Sequence, residues 1–160
     1  MSQTASNAAT TNVGPLHTLL TRDRVAVAIK VSSKKRMLEE LAELLSRQLP
    51  GMDQHTVFAV LNERERLGST GIGDGIALPH GRLNGISEPI AAAVRLHQPL
   101  DFDAIDDKPI TLVIGLLVPA EATDQHLRIL SQLAGAFSDS RFRREIFEAA
   151  DADTLYRLLT

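Results

Sequence analysis

Ile110-Thr-Leu-Val-Ile-Gly-Leu-Leu-Val118 is the segment on which the fold turns. Seven of its nine residues are Ile, Leu or Val, and no polar alternation interrupts them. A strand with one face in water alternates with period two, whereas a continuous aliphatic run belongs to an interior strand covered on both faces. Ile90 to Leu96 reads as another clear strand, and Val25, Val27, Ile29 and Val31 alternate as a first strand with one buried face. Ile76 to Leu78 is a short apolar piece ahead of Pro79. Between and after these strands the spacing changes to helical. Met37, Leu38, Leu41, Leu45 and Leu49 predict a helix over 34–49, with Ser32 and Ser33 as capping oxygens and Pro50-Gly51 as the stop. Asp53 caps a second helix that ends near Leu67, where Gly68 is a good terminator. Further helices are expected over 124–138, with Leu130, Leu133 and Phe137 on one stripe, and near 141–149 and 153–159. The resulting fold class is α/β: a single-domain sandwich whose mixed β-sheet is flanked by helices on both faces.

A chain of 160 residues supports one well-buried core and is short for two domains. Residues 16–160 are assigned to that domain, and residues 1–15, rich in Ser, Thr, Asn and Ala, to a disordered tail without the features of a secretory signal. With no Trp, one Tyr, five Phe and a net charge of −3, the chain lacks the stacking and basic surfaces of a nucleic-acid binder. The absence of cysteine excludes disulfides, thiolate nucleophiles and Cys-ligated zinc, and fits a cytoplasmic setting. No apolar run approaches the roughly 18 residues needed to cross a bilayer, so no membrane insertion is expected.

Chemistry concentrates in residues 68–82, Gly-Ser-Thr-Gly-Ile-Gly-Asp-Gly-Ile-Ala-Leu-Pro-His-Gly-Arg, which hold five of the ten glycines. Such density predicts a loop that lets backbone approach a ligand. Nucleotide motifs fail on spacing. Gly71-x-Gly73 is followed by glycine at 75 rather than 76, and the Gly68 to Gly73 spacing is followed by Asp74-Gly75 instead of Lys-Ser/Thr. His80 remains as the single ionisable ring, on a segment stiffened by Pro79, with Gly81 expected to leave its far side open. A neutral imidazole is a nucleophile near pH 7, and backbone N–H groups of the glycines are candidate donors to a transferred phosphoryl group. No His-x-His or His-Glu-x-x-His spacing supports a metal site, and no cofactor is expected.

The segment from Arg64 to Arg82 closely resembles the active-site region of the fructose/mannitol-type IIA proteins of the bacterial phosphotransferase system, nearest to their nitrogen-regulatory branch. The resemblance continues through Phe102 to Asp106, Leu116 to Ala120 and His126-Leu127, so it spans roughly residues 16–160. It implies that His80 accepts a phosphoryl group on its distal (tele) ring nitrogen from an HPr-like phosphocarrier. Arg64 corresponds to the arginine beside that site and His126 to a second histidine. On the expected helix His126 falls in the first turn, suited to orienting His80 or steadying phosphate, although a satisfied core histidine has the same sequence signature. Glu65, Ser69, Thr70, Gly71, Gly73 and Gly81 match supporting positions. Glu65 is expected to hold Arg64, Thr70 either to donate its hydroxyl or to cap the loop, and Arg82 to face a partner. The resemblance further implies a phosphotransferase component with a phosphohistidine intermediate and regulatory protein targets. The alternative is a IIA subunit that passes phosphate to a separate sugar-specific IIB component.

Overall fold

The structure, a computed structural model, describes residues 13–47 and 49–160. Residues 1–12 of the expected tail lie outside the described residues. Residues 13–15 lie within them. Gly14 N–H donates to the Thr160 carbonyl at 3.0 Å, and a Cβ at Gly14 would run into the Leu159 backbone.

Among the described residues the strands are β1 (Val25–Ile29), β2 (Gly71–Gly73), β3 (Ile76–Ala77), β4 (His80–Leu83), β5 (Ile90–Leu100) and β6 (Ile110–Pro119). The helices are α1 (Lys34–Ser46), α2 (Gln54–Arg66), α3 (Thr123–Phe137), α4 (Ser140–Glu148) and α5 (Ala152–Leu159). One mixed sheet runs in the order β1-β5-β6-β3-β2, and β4 also pairs with β6. β3 is parallel to β6 at Leu112 and Val113, and β4 is parallel to β6 from Leu116 to Pro119, so the two short strands follow one another along the same edge. β5 is antiparallel to β6 and parallel to β1. The expected α/β sandwich is therefore the observed one.

Two apolar layers hold it together. α1 and α2 cover one face through Leu38, Leu41, Leu45, Val57 and Leu61, packed with Val113 and Leu117 of β6. On the other face α3, α4 and α5 bring Leu133, Phe137, Ile146, Leu155 and Leu159 against Leu112, Ile114, Leu116 and Val118. β6 thus sends alternate side chains into two cores, which is why its sequence is uniformly aliphatic. Each fully buried leucine contributes about 2 kcal/mol of burial. Gly115 interrupts the run for a steric reason. A Cβ there would stand 2.7 Å from three side-chain atoms of Leu41, so glycine lets α1 press onto the sheet.

Helix boundaries follow the caps. Ser33 Oγ accepts the Arg36 N–H at 3.1 Å, and Asp53 Oδ1 accepts the Thr56 N–H at 2.8 Å. α1 stops at Ser46, three residues before the expected end at 49. β5 continues to Leu100, past its expected end at Leu96. β1 departs from simple alternation. Val25 and Val27 pack in the second core, whereas Ile29 and Val31 pack against the first. Ala28, at φ 58°, shifts the register between Ala26 and Ile29 and turns the strand over.

Candidate functional site

The glycine-rich segment is not an open loop. Gly71–Gly73 and Ile76–Ala77 form a tight hairpin, and the chain then enters β4 at His80 itself. The turn requires left-handed backbone at Asp74 (φ 59°) and Gly75 (φ 81°). His80 is anchored by strand pairing opposite Leu116, whose N–H donates to the Pro79 carbonyl at 3.0 Å. A strand fixes the ring more firmly than a loop would.

The half-buried His80 ring places Nδ1 2.7 Å from the Leu78 carbonyl oxygen. A carbonyl only accepts, so in the neutral ring the proton sits on Nδ1 and Nε2 keeps its lone pair. Burial holds the His80 pKa below the ordinary histidine value, and Arg64 lowers it further, while the Leu78 bond and Glu65 pull the other way. His126, in the first turn of α3, is also held low, by burial and then by His80, Arg82 and Arg64. The two rings meet edge to face, with centroids 5.1 Å apart at 71°. Nε2 of His126 is buried and has no hydrogen-bond partner among the described residues. An unsatisfied buried nitrogen costs roughly 1–3 kcal/mol, a penalty relieved by a polar group bound beside it.

These rings share a cleft of about 550 Å3 with Ala59, Val60, Glu63 and Arg64 of α2, and with Gly81 and Arg82 of β4. Leu67, 84% exposed, stands at its lip, and Leu127, 62% exposed, follows His126 in sequence. His80, His126 and Arg64 are thus brought together. The Arg64 guanidinium donates to the Gly68 carbonyl at 2.8 Å and has further N–H donors for an anion.

The remaining expected residues lie around this centre. Glu65 does not hold Arg64. It is buried, and its carboxylate accepts from Lys34 Nζ at 2.8 Å, from the Thr70 hydroxyl at 2.6 Å and from the Thr70 N–H. Consecutive residues of a helix point in different directions, so Glu65 turns inward where Arg64 turns to the cleft. Thr70 is spent as a cap on Glu65. Ser69 Oγ donates to the Phe102 carbonyl at 2.6 Å and accepts the Gly71 N–H at 3.0 Å. Gly71 and Gly73 are not among the residues lining the cleft. A Cβ on Gly71 would stand 2.7 Å from that of Ala104, and Gly73 sits at φ +99°. Gly81 does not leave space beside the ring, because a Cβ there would collide with Val60 Cγ1. Its role is close packing of α2 on β4. Arg82 donates to Thr123 Oγ1 at 3.2 Å, tying β4 to the start of α3.

Two participants escaped the sequence reading. The Leu78 carbonyl is a backbone atom and carries no sequence signal. Lys34 opens a Lys34-Lys35-Arg36 run that looks like a solvated helix start.

Comparison with known proteins identifies the family and the fold. The chain is 44% identical over 144 residues to a protein of Pseudomonas aeruginosa named "Nitrogen regulatory protein", covering 90% of this chain and 94% of the relative. A Haloferax volcanii protein named "PTS system fructose-specific EIIA component" is 31% identical over 148 residues, covering 92% and 96%. The crystal structure of nitrogen regulatory protein IIA-Ntr from Neisseria meningitidis superposes with a TM-score of 0.84 at 41% identity, covering 89% of this chain and 97% of that one. Residues 18–160 match the family described as "Phosphoenolpyruvate-dependent sugar phosphotransferase system, EIIA 2". The chain belongs to this EIIA 2 family, a component of the phosphotransferase system.

Proposed function

We propose that this protein is a phosphoryl carrier: His80 Nε2 accepts a phosphoryl group from a histidine-phosphorylated, HPr-like carrier, and the phosphorylated protein regulates partner proteins. The observation that carries this reading is the His80 Nδ1 to Leu78 carbonyl bond of 2.7 Å, which leaves Nε2 as the nucleophilic nitrogen.

The Nε2 lone pair attacks phosphorus in line, a new N–P bond forms, and the carrier's N–P bond breaks with its electron pair returning to the carrier ring. Each ring keeps its other proton throughout, so no general base is needed. Positive charge that develops on the His80 ring is stabilised by the Leu78 carbonyl through Nδ1–H. Arg64 supplies charge-assisted donors to the phosphoryl oxygens. His126, with an unsatisfied ring nitrogen beside His80, either donates to those oxygens or orients the acceptor ring. Exposed Leu67 and Leu127 suit a protein donor that covers the cleft and excludes water.

Regulation rather than sugar uptake is favoured by the 44% identity to a nitrogen regulatory protein, while the fructose-specific relative supports transfer onward to a IIB component as the second reading. Incubation with phosphorylated carrier, followed by intact mass, tests the acceptor role. The wild type is expected to gain one phosphoryl mass and His80→Ala none; an equal gain on both refutes it. Rapid loss of the label to a IIB domain selects the second reading, and a retained label with phosphorylation-sensitive partners selects the first.

A further inference from the structure

An ion pair outside the cleft, formed by the buried Glu65 carboxylate and the partly exposed Lys34, is linked to the His80 ring by hydrogen bonds that run through the backbone of Thr70 and Leu78. Lys34 Nζ, at the start of α1, lies 2.8 Å from Glu65 Oε2 at the end of α2. Glu65 Oε1 accepts the Thr70 hydroxyl at 2.6 Å, and the Thr70 N–H lies 3.1 and 3.3 Å from the two carboxylate oxygens. The Thr70 carbonyl accepts the Leu78 N–H at 2.9 Å, which closes the base of the β2–β3 hairpin. The Leu78 carbonyl then receives His80 Nδ1 at 2.7 Å.

We propose that Lys34 and Glu65 are positioning residues for His80: they lock Thr70 to Leu78, aim the Leu78 carbonyl at Nδ1, and so select the tautomer in which Nε2 is free to attack. This rests on the reading of His80 as phosphoryl acceptor. In water the neutral histidine ring favours the Nε2–H form, in which the attacking nitrogen is blocked. One carbonyl reverses that preference here, and the hairpin base fixes where the carbonyl lies.

A purely stabilising role is a poor account of the pair. Exposed ion pairs contribute about 0–1 kcal/mol and buried ones little net stability compared with apolar residues of similar size, and the best-attested use of a desolvated pair is to specify geometry. Glu65 is 7% exposed and is paired with a cation from a different helix. Lys34 is itself fixed, 4.7 Å above the Phe102 ring and 3.3 Å from Asp103 Oδ2. The network therefore joins α1, α2, the hairpin and the segment after β5 at the point from which β4 departs.

The test is the tautomer of His80, read from ring 15N shifts of histidine-labelled protein above its titration range and without any phosphoryl donor. In the wild type Nε2 is expected to have the unprotonated signature and Nδ1 the protonated one. In Lys34→Met and Glu65→Gln the two shifts are expected to move toward each other. The rate of phosphorylation by phosphoramidate is expected to fall about 3- to 10-fold as the competent population shrinks. If Glu65→Gln does not fold, Lys34→Met at a partly exposed position carries the test. Folded variants with wild-type 15N shifts overturn the proposal. A wild type that shows the expected tautomer yet takes up no phosphoryl group overturns the acceptor reading instead, so the two failures are separable.

Discussion

His80 and His126 share one site with Arg64, whose guanidinium disfavours a second cation there. Burial, followed by the positive charge of Arg64, biases both rings toward the neutral form where an ordinary histidine is half protonated. For a phosphoryl acceptor this is useful, because protonation removes the attacking lone pair. The expected outcome of an NMR titration is a midpoint for each ring below the reference value of 6.5, with phosphoryl acceptance lost at lower pH than a free imidazole would lose it. A midpoint at or above the reference for His80 would contradict the electrostatic account. His80, the proposed acceptor, was legible in the sequence because Pro79 and the glycines frame it. Its tautomer was not, since a backbone carbonyl two residues away sets it. The partner of Glu65 was equally hidden. Lys34 is 31 residues distant, and only the packing of α1 on α2 brings the two together.

Secondary structure elements deliver these side chains, and their fit is steric as much as chemical. α2 lies so close to β4 that Val60 occupies the place of a Gly81 side chain. Gly81→Ala is expected to lower stability by about 1–3 kcal/mol through overpacking. Val60→Ala in the same background should recover part of that loss. Denaturant unfolding of the two single variants and the double variant measures the coupling, and strictly additive effects would exclude the contact. The helix starts were well read from sequence because the Ser33 and Asp53 caps act locally, whereas α1 ends at Ser46, ahead of the Pro50-Gly51 stop. The glycine segment was misread as a loop. Strands of two to four residues carry too little periodicity to be seen, and their pairing with β6 depends on residues more than thirty positions away. The inversion within β1 was also invisible, because alanine at position 28 gives no hint of a positive φ.

Across the whole molecule the aliphatic β6 separates two cores, and the site forms where α2 from one face and α3 from the other meet the β4 edge. That architecture was legible from Ile110 to Val118, because only a sheet covered on both sides accommodates such a run. The order of strands was not, since parallel and antiparallel neighbours have the same composition. Neutral burial of two histidines also links global stability to pH. Each ring has a folded pKa below its unfolded one, so between the two values the unfolded chain binds more protons. Their contribution is fully present above about pH 6.5 and is lost as pH falls through the lowered folded values. Unfolding midpoints measured from pH 8 down to pH 5 should fall over that window, and less steeply in a His80→Phe, His126→Phe double variant. An identical slope in that variant would place the proton linkage elsewhere.

The most direct test of the phosphoryl-acceptor role is the site of the N–P bond. Protein labelled with 15N-histidine and phosphorylated by its carrier is expected to show 31P–15N coupling to Nε2 of His80. Coupling to Nδ1 of His80, or to a ring nitrogen of His126 or any other histidine, would contradict the account.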